Sequence, residues 1–301
     1  MDRRTFLWLA IAGCGSRPAR REVAEAREDA PRSEKEPAAE APRSEIEALA
    51  ESLRERHRAD GFTVVVEPPF VVVGDEDEDT VRERSASTVG WAVARLKHAY
   101  FDRDPEERIT VWLFDGEESY TRWAWALFRD RPDTPYGYYS PEHNALVMNI
   151  ATGGGTLVHE IVHPFMDTNF PACPAWFNEG LASLYEQCGD EDGQIVGFTN
   201  WRLEGLQEAL REGVVPSFRT LTSTTRDQFY DRDPGTNYAQ ARYLCYWLQE
   251  HGKLQAFYRA FVADAARDPT GFATLRSLVG YEDMRAFERD WREFTLALRF
   301  P

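Results

Sequence analysis

The stretch GGGTLVHEIVHPFMDTNFPACPAWFNEGLASLYEQ, residues 153–187, holds two histidines four residues apart and a glutamate beside the first. On a helix, residues i and i+4 share a face one turn apart, so the imidazoles of His159 and His163 can reach one metal ion. Zinc in a catalytic site takes three protein ligands and keeps a fourth position for water. Glu179, sixteen residues after His163 in an otherwise apolar run, is the candidate third ligand. An unpaired carboxylate buried there would cost on the order of several kcal/mol, and a cation would remove that cost. Glu160 stands where a general base can take a proton from a polarised water. The competing reading is two amphipathic helices, with Glu179 on an exposed edge.

The surrounding pattern must place those side chains. SEIEALAESLRERH reads as a helix with Ser44 as N-cap and Glu47 three residues later. FTVVVEPPFVVVG is two β-branched runs split by Pro68 and Pro69, hence two short strands. An acid-led helix follows, to about Phe101, then a third strand in RITVWLFD and a helix in EESYTRWAWALF. YGYYSPEHNALVMNI reads as a hairpin. After residue 150 strand signals stop, and helical patterns cover 155–167, 174–187, 200–212, about 224–230, 236–251, 253–265, 270–278 and 282–298. The glycines before the motif read as a flexible lead-in. Pro164 removes the bond to the carbonyl of Glu160 and predicts a kink, or a helix ending within a turn. The fold class is α+β: an α/β lobe over about 45–167 with a small mixed sheet, then a mostly helical lobe over about 168–301, the motif at the junction.

The chain has 301 residues, 43% of them hydrophobic, which suffices for one large domain or two small ones. Its net charge of −16, with no dense Lys/Arg block beyond the N-terminal tail, argues against a nucleic-acid partner. MDRRTFLWLAIAGCGS has a charged start and an apolar run from Phe6 to Ala12, too short to span a bilayer. The small residues before Cys14 resemble a bacterial lipoprotein signal, with residues 1–13 removed and Cys14 acylated. RRTFL also resembles a twin-arginine export signal. Residues 14–44 are rich in Pro, Ala, Glu and Arg and lack aromatics, so they read as a disordered tether to a membrane. Export permits disulfides. A helix running from Cys173 to Cys188 would hold those two about 22 Å apart, which opposes their pairing. A bridge from Cys188 to Cys245 stays open beside three buried thiols.

HEIVH followed by WFNEGLASLYE resembles the gluzincin metallopeptidases, which take two histidines from one helix and a glutamate from a second. WFNEGLA is similar to the segment in aminopeptidase N-type enzymes, but fifteen residues lie between His163 and Glu179, fewer than the eighteen usual there. The Gly-x-Met-Glu-Asn segment that holds a substrate's free amine is absent. The nearer likeness is to peptidase-MA-like families of bacterial envelope proteins, over roughly residues 60–298. That resemblance implies a zincin-like fold and a hydroxyl from Tyr238 aimed at the reacting oxygen, with Tyr243 or Tyr246 as substitutes. It also implies an edge strand pairing with extended substrate, placed at Asn144–Asn149. Ser183, four residues after Glu179, either accepts a hydrogen bond from a ligand histidine or is a surface serine. His57, His98, His143 and His251 lack ligand spacing.

The reading that joins these features is a lipid-anchored zinc metallopeptidase, most simply an endopeptidase, acting on peptide or protein substrates at the extracytoplasmic face of an envelope membrane. Zn²⁺ is held by His159, His163 and Glu179, with Glu160 and Tyr238 catalytic. The alternative is a non-catalytic, metal-stabilised peptide-binding protein of the envelope. A carboxylate at Glu160 has no use in that alternative.

Overall fold

The computed structural model describes residues 43–231 and 234–300. Residues 1–13, Cys14 and nearly all of the expected tether lie outside the described residues. Helix α1 (Arg43–Arg56) opens the fold, so Ser44 lies within it rather than capping it. Valine-rich β1 (Thr63–Glu67) and β2 (Phe70–Gly74) turn back on each other across Pro68–Pro69. Helix α2 (Glu78–Arg84), capped by Asp77 on the Thr80 amide, runs through a π-helical stretch at Ser85–Gly90 into α3 (Trp91–Ala99). Strand β3 (Ile109–Phe114) and α4 (Glu117–Trp123), prolonged by a π-helical turn at Ala124–Phe128, lead to the hairpin of β4 (Gly137–Ser140) and β5 (Ala145–Asn149).

The five strands lie in the order β1-β2-β3-β5-β4. Pairs β2/β3 and β3/β5 are parallel, and the two outer pairs are antiparallel. Alternation along the strands sends Val71, Val73, Trp112, Phe114 and Val147 to a core under α1 and α4. Phe70, Val72, Val111, Leu113, Leu146 and Met148 face the other way, into a core continuous with the helices of the second half. Strands β2, β3 and β5 are thus buried on both faces, as their unbroken apolar runs require. The structure therefore corrects one expectation: Asn144–Asn149 is not an edge, because β5 lies between β3 and β4, and the edge beside it is β4.

The second half comprises α5 (Gly155–Asn169), α6 (Ala175–Leu184), α7 (Arg202–Glu212), α8 (Phe218–Thr222), α9 (Arg226–Asp231), α10 (Pro234–Glu250), α11 (Leu254–Asp264), α12 (Phe272–Val279) and α13 (Met284–Ala297). It is not wholly helical. Strands β6 (Cys188–Glu191) and β7 (Gln194–Gly197) form a hairpin where the periodicity had extended α6 to residue 187. Its turn is Asp192–Gly193, both at positive φ (52° and 78°), the pair that two-residue hairpin loops favour. Pro164 does not end α5, which runs on to Asn169. There the Asn169 side chain donates to the Phe165 carbonyl at 2.8 Å and helps to close the helix. Cys173, Cys188 and Cys245 are free thiols, and only Cys245 is fully buried. Since α6 covers only part of the stretch from Cys173 to Cys188, the rise of a continuous helix is not what keeps them apart. Among the described residues no helix is long and apolar enough to cross a membrane.

Candidate metal centre

Helix α5 starts where β5 ends, after a short 3-10 turn at Ile150–Thr152. Of its glycines, Gly155 is needed for close approach. A side-chain carbon built on Gly155 would lie 2.0 Å from the backbone oxygen of Glu186, so any larger residue would push α5 off the end of α6. Leu157, Val158, Ile161, Val162 and Phe165 bury one face of α5 in the core. The other face carries His159, Glu160 and His163, with the rings of the two histidines 4.9 Å apart.

Helix α6 brings the third group. Nearly all of it is buried, from Trp176 and Phe177 through Glu179 to Leu184, and Glu179 is its single charged residue. Glu179 is only 5% exposed, so the exposed-edge alternative does not apply. Glu179 Oε2 lies 3.3 Å from Nε2 of His159, and Oε1 lies 3.9 Å from Nε2 of His163. One ligand atom from each of His159, His163 and Glu179 falls within 4.8 Å of the others, and together they form a buried group able to hold a metal ion. Two ligands bound tetrahedrally at zinc-like distances stand about 3.4 Å apart. The His159–Glu179 separation matches that edge. Glu179 Oε2 is buried without a hydrogen-bond partner, as expected of an atom reserved for a cation.

Each ligand is held from behind. The Nδ1–H of His163 donates to Asn178 Oδ1 at 3.0 Å, leaving Nε2 toward the centre. Nδ1 of His159 faces Glu186 Oε1 at 3.4 Å, an ion-pair distance rather than a well-formed hydrogen bond. Glu186 is itself clamped by two bonds from Arg202 (2.9 and 2.7 Å) and one from Asn200 (3.0 Å). Tyr230, on α9, donates its hydroxyl to Glu179 Oε1 at 2.6 Å.

The electrostatics follow from two buried carboxylates and one arginine. Burial opposes a charge on His159, but Glu179 and Glu186 outweigh it and hold the imidazole up to about 10. Burial likewise opposes ionisation of Glu179, yet His163, His159 and Tyr230 bring it down to about 2. Glu186 falls well below the usual carboxylate range: Arg202 and His159 overcome its burial. With Glu186 neutralised by Arg202, the ligand set carries the single negative charge of Glu179.

Glu160 is half-buried and has no hydrogen-bond or ion-pair partner among the described residues. Its charge is felt at Tyr120 and Tyr230, whose phenols are raised first by burial. Tyr238, on α10, stands beside Tyr230 with ring centroids 6.1 Å apart, and the Arg202 guanidinium lies 5.3 Å from its ring. Burial and then the Glu179 charge push its hydroxyl up. Tyr243 and Tyr246 do not substitute for it: Tyr243 bonds Asn200, and Tyr246 packs near Phe294 in the core. Ser183 is neither a surface serine nor a bonded partner of a histidine. It is fully buried, its hydroxyl has no partner, and its carbonyl accepts from Arg242. The remaining histidines have local partners: Asp60 for His57, Gln194 for His98, the Phe128 carbonyl for His143 and the Trp247 carbonyl for His251.

Sequence reasoning did not find Asn178, Glu186 or Tyr230. Asn178 is adjacent to a ligand, and Glu186 lies seven residues, about two helical turns, after Glu179, so both had a local signal. Tyr230 had none. No protein-family model matches this chain, and no curated protein matches it significantly.

Proposed function

We propose that this chain is a zinc-dependent peptidase of zincin-like fold that hydrolyses peptide bonds within polypeptide substrates. The observation that carries the proposal is an unpartnered carboxylate, Glu160, next in sequence to a buried His159/His163/Glu179 group whose Glu179 Oε2 lacks any other partner. The donor set of two imidazoles and one carboxylate suits zinc best. Zinc held there supplies Lewis-acid polarisation of the scissile carbonyl and of the attacking water.

The remaining work belongs to the chain. Glu160 takes the water's proton and returns it to the leaving amine. His163 and His159 are fixed in orientation by Asn178 and Glu186, and Arg202 keeps Glu186 ionised. Tyr238 donates to the carbonyl oxygen as charge develops there. The outer edge of β4 offers an extended substrate a strand to pair with. We further propose that the protein is exported and tethered through a lipid on Cys14. Replacement of Cys14 by serine then moves it from the membrane fraction to the soluble one, and unchanged fractionation refutes the anchor.

The enzymatic reading is tested by presenting the purified chain with a broad peptide library before and after chelation. Cleavage that stops on chelation and returns with zinc supports it. A protein that binds zinc stoichiometrically and cleaves nothing is instead the metal-stabilised binding protein.

A further inference from the structure

The two oxygens of Glu179 are not equivalent. Oε1 accepts the Tyr230 hydroxyl at 2.6 Å, whereas Oε2 is buried, has no hydrogen-bond partner and lies 3.3 Å from His159 Nε2. Tyr230 comes from α9, 51 residues further along the chain, and its ring is fixed by others. Phe229 and Tyr238 stand edge-on at 5.4 and 6.1 Å, and the Arg226 guanidinium lies 5.2 Å from the ring centre. The phenol is thus held in place by packing before it meets the carboxylate.

We propose that Tyr230 is a positioning residue that occupies one oxygen of Glu179 and commits the other, Oε2, to the metal. A carboxylate with both oxygens free can swing to bind a cation through both. That would fill the coordination position a zinc enzyme keeps open. A neutral donor on Oε1 prevents this while leaving the ligand's negative charge intact. A lysine or arginine in its place would weaken the ligand by competing for that charge. The inference rests on the metal reading of the site and not on peptide hydrolysis.

The test uses the full-length chain, with zinc and cobalt(II) ions as the only probes. Wild type and Tyr230→Phe are compared for zinc affinity by competition with a chromophoric chelator, and for the visible absorption of the cobalt(II) form. Tyr230→Phe is expected to bind zinc about ten-fold more weakly or worse, the lower end for loss of a group that orients a ligand. Its cobalt bands should weaken as coordination rises from four toward five, while the metal-free protein stays folded and melts somewhat lower for want of the bond to Glu179. Equal affinity with an unchanged cobalt spectrum overturns the proposal. So does an affinity loss with an unchanged cobalt spectrum, since the way Glu179 meets the metal would then not depend on Tyr230. A cobalt change produced by Tyr238→Phe and not by Tyr230→Phe also overturns it. A wild type that binds no metal removes the centre and this inference together, whereas one that binds zinc but cleaves no peptide removes only the peptidase.

Discussion

Helices α5 and α6 meet at the metal group but are held in different ways. Helix α5 is amphipathic: one face is buried against the sheet and α3, and the other carries His159, Glu160 and His163, of which only His159 is buried. Helix α6 is buried on every side, with its most extensive contact to α10. At Gly180 the approach to α10 is so close that an added side-chain carbon would lie 3.0 Å from the Ala241 carbonyl oxygen. At its C-terminal end, the wholly buried Arg242 donates to the carbonyls of Ser183 and Leu184 and to that of Phe198. A histidine loses little by being partly exposed, so an ordinary amphipathic helix suffices for two ligands and a base. A buried carboxylate is costly to misplace. The fold accordingly surrounds the helix that carries it with fixed contacts.

If this contrast is right, damage on α5 is chemical and damage around α6 is structural. The largest effect is expected from His163→Ala, which removes one of three ligands: bound zinc should fall well below one per chain. The metal-free fold should barely change, since His163 is a partly exposed side chain; metal analysis alongside thermal melts checks both parts. Next is Arg242→Met, which strands buried carbonyls at the end of α6. Chemical denaturation should show a loss of about 2–4 kcal/mol, although Arg242 touches no ligand. Gly180→Ala should cost about 1–3 kcal/mol by overpacking the contact with α10. A Gly180→Ala variant as stable as wild type would show that α6 is not tightly held. The smallest effect on metal content and stability is expected from Tyr238→Phe: zinc retained, stability unchanged, and peptide hydrolysis slowed by about 100-fold, as for loss of one oxyanion donor.

The sequence was most legible where local pattern alone decides the outcome. Valine runs broken by Pro68–Pro69 specify β1 and β2, and the four-residue spacing of His159 and His163 specifies a shared face of α5. It misled where a local rule met a tertiary one. Pro164 was read as a kink or an end within a turn, yet packing of Phe165 and Met166 into the core carries α5 on to Asn169, past that end. Strand β5 was read as an edge on the family resemblance alone, but an edge is a property of sheet order, which spacing does not encode. The β6–β7 hairpin was readable from Asp192–Gly193 and was hidden by the apolar run before it. Tyr230 reaches Glu179 from 51 residues away, a juxtaposition that only the packed fold creates.

The most direct test of the central claim is Glu160→Gln compared with wild type for zinc content and peptide hydrolysis in one preparation. The substitution keeps size and shape and removes only the ability to accept a proton. The account predicts zinc near one per chain in both proteins and hydrolysis lower in the variant by a factor of about 100 or more. Equal hydrolysis by the two proteins would contradict it.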